Sequence, residues 1–243
     1  VGAVRCFGQN QWSQVSGARD LTDVVGLAAG SYFGCALKAN GTVWCWGVCQ
    51  LGQCGDGTRG DIHIRSDRNI KNSAVQAIGV TNAAAISATE TSACALLEDG
   101  SATCWGRGES GRLGTGNTNY SLRPTPVTVL EGPIIELATA AGTTCARRGD
   151  GTVWCWGENS SGQLGNGSDV THSLTAVRVS NLTSPVVQLV ALKYGFCARF
   201  DTLRVMCWGR TIGSNSIGRL PRFVDLMDVT RLASGGHGAQ MIA

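Results

Sequence analysis

Short apolar runs separated by turns rich in glycine, asparagine, aspartate and serine recur along this chain. Pro126-Val127-Thr128-Val129 and Ile134-Ile135-Glu136-Leu137 are typical runs, and each precedes a pair of cysteines. The pattern C-A-x(8)-C occurs four times, at Cys35 and Cys45, Cys94 and Cys104, Cys145 and Cys155, and Cys197 and Cys207. Trp-Gly follows every second cysteine, and successive second cysteines lie 59, 51 and 52 residues apart. A period of that order marks a solenoid, propeller or array. Eight residues before each first cysteine stands Leu27, Ile86, Leu137 or Leu189. A fifth copy begins at Leu232 with Gln240 in the cysteine position.

Between the cysteines lie Ala39-Asn40-Gly41, Glu98-Asp99-Gly100 and Gly149-Asp150-Gly151. Asn-Gly and Asp-Gly between apolar residues signal hairpins. A three-residue loop with glycine in the left-handed position sets Cys35 opposite Cys45, Cys94 opposite Cys104 and Cys145 opposite Cys155. Opposed residues of an antiparallel pair bring their Cβ atoms to about 4.5–5.5 Å, close to disulfide reach. One cross-strand bridge per hairpin follows, with Ala36 facing Trp44, Ala146 facing Trp154 and Ala198 facing Met206. The fourth loop, Asp201-Thr202-Leu203, lacks the glycine, which leaves its turn geometry open. Counting the two apolar runs upstream, each repeat holds four short strands, which describes a propeller blade. The β-branched runs, 34 glycines and absence of a long 3.6-residue period exclude a helical solenoid. No apolar run approaches 18 residues, so no membrane span is expected.

The segment V-W-C-W-G-x(4)-G-Q-L-G-x-G, complete at Val153 to Gly167 and altered at Thr103 to Gly116, resembles the repeat of the regulator of chromosome condensation family, in its cysteine-bearing secreted form. The resemblance implies a β-propeller. The expected fold is all-β, five four-stranded antiparallel blades in a single domain spanning 1–243, with one disulfide per hairpin in four blades. The fifth blade closes on strands from both termini: Val4 to Gly8 supplies its last strand and Pro221 to Ala243 its first three. A fragment of a larger propeller is the alternative.

Eleven cysteines leave three beyond the four pairs. Cys49 and Cys54 form a natural fifth bridge, and Cys6 is left as a free thiol or an interchain link. C-x(4)-C without a second ligand pair nearby argues against zinc. Stable disulfides place the protein outside the cytosol, secreted or at a cell surface. Sequons stand at Asn40, Asn119, Asn159, Asn166 and Asn181, with Asn40 and Asn159 expected to be exposed and open to glycans. Net charge is +3 without a basic run beyond Arg147-Arg148, so no nucleic-acid footprint is expected.

His63, His172 and His237 fall in different repeats, and no carboxylate pair, nucleophile elbow or phosphate loop stands out. The expectation is therefore a non-catalytic module with no cofactor, binding a protein or surface glycan or assembling with itself. The alternative that the resemblance implies is guanine-nucleotide exchange on a small GTPase. Binding is expected in loops that break the repeat: Val48 to Asn72, with Arg59, Arg65 and Arg68, and Gly209 to Arg219. Trp12 is a further contact candidate. Trp46, Trp105, Trp156 and Trp208, one per repeat, read as a structural layer.

Overall fold

In a computed structural model, residues 4, 6, 11, 13, 16–61, 68–210, 218–225, 228–235 and 238–242 are described. They form β-strands throughout, with single 3-10 turns at Ser16–Ala18 and Glu109–Gly111. Four sheets of four antiparallel strands follow in chain order. The first contains β1 (Val24–Ala29), β2 (Phe33–Lys38), β3 (Val43–Val48) and β4 (Ile70–Gln76), and the second contains β5 (Ala83–Ala88), β6 (Ser92–Leu97), β7 (Ala102–Gly106) and β8 (Ser121–Pro126). The third contains β9 (Ile134–Ala140), β10 (Thr143–Arg148), β11 (Val153–Glu158) and β12 (His172–Arg178). The fourth contains β13 (Val186–Ala191), β14 (Tyr194–Phe200), β15 (Val205–Arg210) and β16 (Gly218–Phe223), and a hairpin of β17 (Arg231–Gly235) and β18 (Gly238–Ile242) ends the chain.

The hairpin arithmetic holds in every sheet. Cys35 faces Cys45, Cys94 faces Cys104, Cys145 faces Cys155 and Cys197 faces Cys207. All four pairs are bonded, each with Cα atoms 4.1 Å apart. Ala36 opposes Trp44, Ala146 opposes Trp154 and Ala198 opposes Met206. The turns are held by short polar side chains. Asn40, Asp99 and Asp150 each accept from the backbone N–H and hydroxyl two residues on, and Trp44 and Trp154 donate to the hydroxyls of Thr42 and Thr152. These bonds hold the Asp99 and Asp150 carboxyls below the usual carboxylate range.

One open question is answered and one expectation is corrected. The open question at Asp201-Thr202-Leu203 resolves into the same turn, because Leu203 adopts φ +60° where the other hairpins place glycine. Its N–H donates to Phe200, as Gly41 donates to Lys38. The outer strand of each sheet also follows its hairpin instead of preceding it. β8 runs over Ser121–Pro126 and pairs with β7, so Val127 to Val129 lies beyond it. The physical reason is the glycine-rich loop after Trp-Gly, which turns the chain back alongside the third strand. Pro221 to Phe223 is accordingly the end of the fourth sheet, and among the described residues two strands follow it, where three were expected from Pro221 onward. The expected pairing of Val4 to Gly8 with the C-terminus lies outside the described residues.

The chain divides into two compact units. One comprises Val1–Glu109 and Asn119–Val127, the other Ser110–Thr118 and Thr128–Ala243. In the first unit the disulfide face of the first sheet (Phe33, Cys35, Leu37, Val43, Cys45) packs on Ala83, Ala93, Ala95 and Trp105 of the second, with Ile86 against them. In the second unit Cys145, Val153 and Cys155 pack likewise on Leu189, Phe196, Ala198 and Trp208. Val190, Cys197, Val205 and Cys207 then pack on Val229 and Leu232 of the terminal hairpin segment. Within each unit, the disulfide side of one sheet buries the alanine, leucine and tryptophan side of the next. Each bridge closes a short loop, and the unfolded-state entropy model gives roughly 2–3 kcal/mol apiece.

Candidate functional site

The described loops after Trp-Gly, in the first three sheets, share one design. In the third sheet's loop, Gly162 donates to the Asn159 carbonyl and Gly165 to the Gly162 carbonyl, while the Ser161 N–H donates to Gln163 Oε1. The first sheet's loop repeats this: Gly52 to Cys49, Gly55 to Gly52, and Leu51 N–H to Gln53 Oε1. Left-handed φ at the paired glycines, such as Gly55 (+68°) and Gly165 (+63°), makes the tight curl possible.

Each curl latches the following sheet. The indole N–H of Trp105 donates to the Gln53 carbonyl, that of Trp156 to the Arg112 carbonyl, and that of Trp208 to the Gln163 carbonyl. The G-Q-L-G segment is therefore a backbone acceptor for a buried indole. Trp105, Trp156 and Trp208 are fully buried and Trp46 nearly so, as a structural layer requires. The Gln163 amide nitrogen is buried without a partner.

The curl is closed differently in each place. Asn159, 1% exposed, accepts from the Leu164 N–H at 3.0 Å and donates to the Ser168 and Val170 carbonyls. The register puts Cys49 at the Asn159 position and Cys54 at that of Leu164, and these cysteines are bonded to each other and fully buried. A disulfide thus replaces a buried amide network. Asn159 was expected at an exposed loop site; the structure corrects this, since the loop curls over its own side chain. Asn40, Asn119 and Asn181 are exposed and Asn166 is half-buried.

The departures from the repeat in the first unit gather at one end of its sheets. The insertion between β3 and β4 leaves there, with Val48 N–H donating to the Tyr32 carbonyl, and Arg107 N–H makes the same bond to Thr91. Its base is ordered by Lys71 and Asp56 at 2.7 Å, by Thr58 on Asp56, and by Asn69 on Thr58 and the Cys49 carbonyl. Burial would raise the Asp56 carboxyl, but the Lys71 and Thr58 bonds outweigh it and hold it low.

Nearby, Arg107 pairs with Glu109, which accepts from the Tyr120 hydroxyl. Burial and that bond push the Tyr120 hydroxyl upward. Tyr32 is 54% exposed, and Arg59 and Glu90 are exposed as well. Arg68, in the same insertion, is half-buried. Trp12, Arg65, His63 and the centre of the Gly209 to Arg219 loop lie outside the described residues. Sequence reasoning missed Tyr32, Glu90 and the Arg107–Glu109–Tyr120 group, because each looks like ordinary loop chemistry until the turns are brought together.

Cys6 is unbonded and half-buried against the cluster of Val4, Ala18, Leu21, Ala36 and Trp46. Burial pushes its thiol upward, which disfavours the reactive thiolate. Among the described residues no group of three or more potential ligands could hold a metal ion, and no helix is long and apolar enough to cross a membrane.

Repeated four-stranded antiparallel sheets, with the tryptophans of the second, third and fourth donating to curled glycine-rich loops, define a propeller-blade repeat protein. The model of the regulator of chromosome condensation (RCC1) repeat matches residues 99–147 and 150–192, and a second model of that repeat matches 24–56. The chain belongs to the RCC1 repeat family. Its relatives include the human E3 ubiquitin-protein ligase HERC2, 27% identical over 222 residues, 86% of this chain and 4% of HERC2. The Arabidopsis thaliana ultraviolet-B receptor UVR8 is 28% identical over 207 residues, 84% of this chain and 44% of UVR8. Prp20p from Saccharomyces cerevisiae superposes with a TM-score of 0.70 at 16% identity, covering 84% of this chain and 50% of that structure. The chain thus spans less than half the length of these two curated relatives.

Proposed function

We propose that this chain is a non-catalytic interaction module working in an oxidising, extracellular setting, and that it binds a protein partner through the loop end of its first unit. The observation that carries the reading is the bonding of ten cysteines in five pairs, all inside packed sheets or their loops. Such bonds persist where the surroundings are oxidising.

The loop end supports the binding half of the reading. It combines an exposed aromatic with arginine and acidic side chains on loops braced by a disulfide and an ion pair. Aromatic and arginine residues dominate binding energy at interfaces, and rigid loops lose less entropy on association. A surface glycan or self-association through this end is a different outcome of the same test. A photo-crosslinking residue at position 32 or 59 should capture a protein from the native extracellular fluid, whereas one at Thr230 should not. Capture of nothing from either position, or equal capture from all three, contradicts the proposal.

Guanine-nucleotide exchange is the second reading. It draws on the likeness to Prp20p, a protein characterised for its binding to Gsp1p and histones. That reading expects accelerated nucleotide release from a small GTPase by the fully reduced protein. The five bridges favour the first.

A further inference from the structure

We infer that a cavity at the end of the third sheet, in the second unit, is a binding site for a neutral sugar ring. The chain leaving β12 is tied twice to the hairpin of β10 and β11. Val179 N–H donates to the Val153 carbonyl at 2.9 Å, and Val186 N–H donates to the Gly151 carbonyl at 3.0 Å. Residues 179–186 therefore bow out as a closed ring. The first sheet ties its corresponding ring with one residue fewer, from Ala77 on Val43 to Ala83 on Gly41. In the third sheet a further bond, from Ser180 N–H to the Gly165 carbonyl, pins the ring's start to the curled loop. Gly151 permits the closure, because a Cβ there would stand 2.5 Å from the Pro185 Cβ. Ring and hairpin turn frame an open cavity of about 600 Å³, within the range of small-ligand sites.

The lining selects the ligand. Its charged residues are Asp150 and Arg178, one of each sign. Arg148 does not line the cavity, and its guanidinium lies against Gly132. Bonds from the Thr152 hydroxyl and N–H, and then the attraction of Arg148 and Arg178, hold the Asp150 carboxyl low, so it is ionised at neutral pH. Thr152 occupies Oδ1 of that carboxylate, which leaves Oδ2 for a ligand. Among the described residues Arg178 forms no ion pair. A simple anion would be repelled by Asp150 and a simple cation by Arg178. A neutral group that both accepts and donates uses the two together, and a sugar hydroxyl does so. The hydroxyls of Ser180, Thr183 and Ser184, unbonded among the described residues, add partners of the same two-way kind. Val153 and Leu182, part of or packed on the second unit's core, give an apolar floor for the C–H face of the ring. A zwitterion would use the two charges but neither the hydroxyls nor the floor.

Amide NMR of the isotope-labelled full chain tests this, with protein made in the bacterial periplasm so that its bridges form and Asn181 carries no sugar. The probes are glucose, galactose, mannose, N-acetylglucosamine and fucose, with sodium acetate and zwitterionic glycine as charged controls. The proposal expects at least one sugar to shift the amides of residues 150–153 and 178–185 saturably, and neither control to do so. Arg178→Ala and Asp150→Asn should each weaken that binding about tenfold or more, the scale of one hydrogen bond to a charged group. Asp150→Asn keeps the turn, because Asn40 holds the equivalent turn of the first sheet through the same two bonds. Asp99→Asn, in the corresponding turn of the second sheet, should leave binding unchanged. No saturable shift with any sugar, saturable shifts with acetate or glycine instead, or sugar binding that ignores both cavity substitutions overturns the proposal.

Discussion

Replacing Asn159 with alanine removes the polar closure of the third sheet's loop. The Leu164 N–H, in a fully buried residue, loses its only described acceptor, and leaving such a donor unpaired costs about 1–3 kcal/mol. The carbonyls of Ser168 and Val170 lose donors too, but Ser168 is half-buried and Val170 exposed. Water can replace those bonds, so together they add only about 1 kcal/mol. The expected loss is roughly 3 kcal/mol, or about 6–12 °C in Tm for a protein of this size. Urea unfolding at several protein concentrations separates this from any change in association. The double variant Asn159→Cys with Leu164→Cys should instead form a bridge matching Cys49–Cys54 and recover most of the loss. A loss under about 1 kcal/mol for Asn159→Ala, or a glycan carried at Asn159 by the folded protein, would refute the reasoning.

Further outcomes follow from the same geometry. Leu203→Gly should stabilise the fourth sheet by about 1 kcal/mol, measured by thermal unfolding, because a non-glycine residue held in the left-handed region costs about 1–2 kcal/mol. Expression in a eukaryotic secretory host should place glycans on Asn40, Asn119 or Asn181 and not on Asn159, as read by enzymatic deglycosylation and peptide mapping. Asp56 has a carboxyl held below its ordinary value, so the stability it adds is full above about pH 4 and is lost as pH falls through its folded value. Hydrogen exchange of residues 56–61 and 68–71 should rise over that acid range in wild type and show no such step in Asp56→Asn.

The repeats made most of the fold legible. Constant spacing between cysteines and the Asn-Gly and Asp-Gly turns define the strand register, because cross-strand pairing has a period of two and tolerates no slip. Assignment of the outer strands was less accessible, since β8 and β9 are both short apolar runs and only the curled loop shows which sheet takes which. The fourth turn resisted because its left-handed residue is a leucine, a choice that local propensity opposes and the flanking strands impose. The site was harder still. Asn159 carries a sequon and looks like a surface loop residue; its burial depends on bonds to residues 5 to 11 positions later.

Peptide mass spectrometry of the non-reduced protein, taken from its native source with thiols blocked at harvest, tests the central claim most directly. The account predicts linked peptides Cys35–Cys45, Cys94–Cys104, Cys145–Cys155, Cys197–Cys207 and Cys49–Cys54, with Cys6 as the alkylated residue. Alkylation of the four hairpin pairs in the native protein would contradict the oxidising setting and the functional reading built on it.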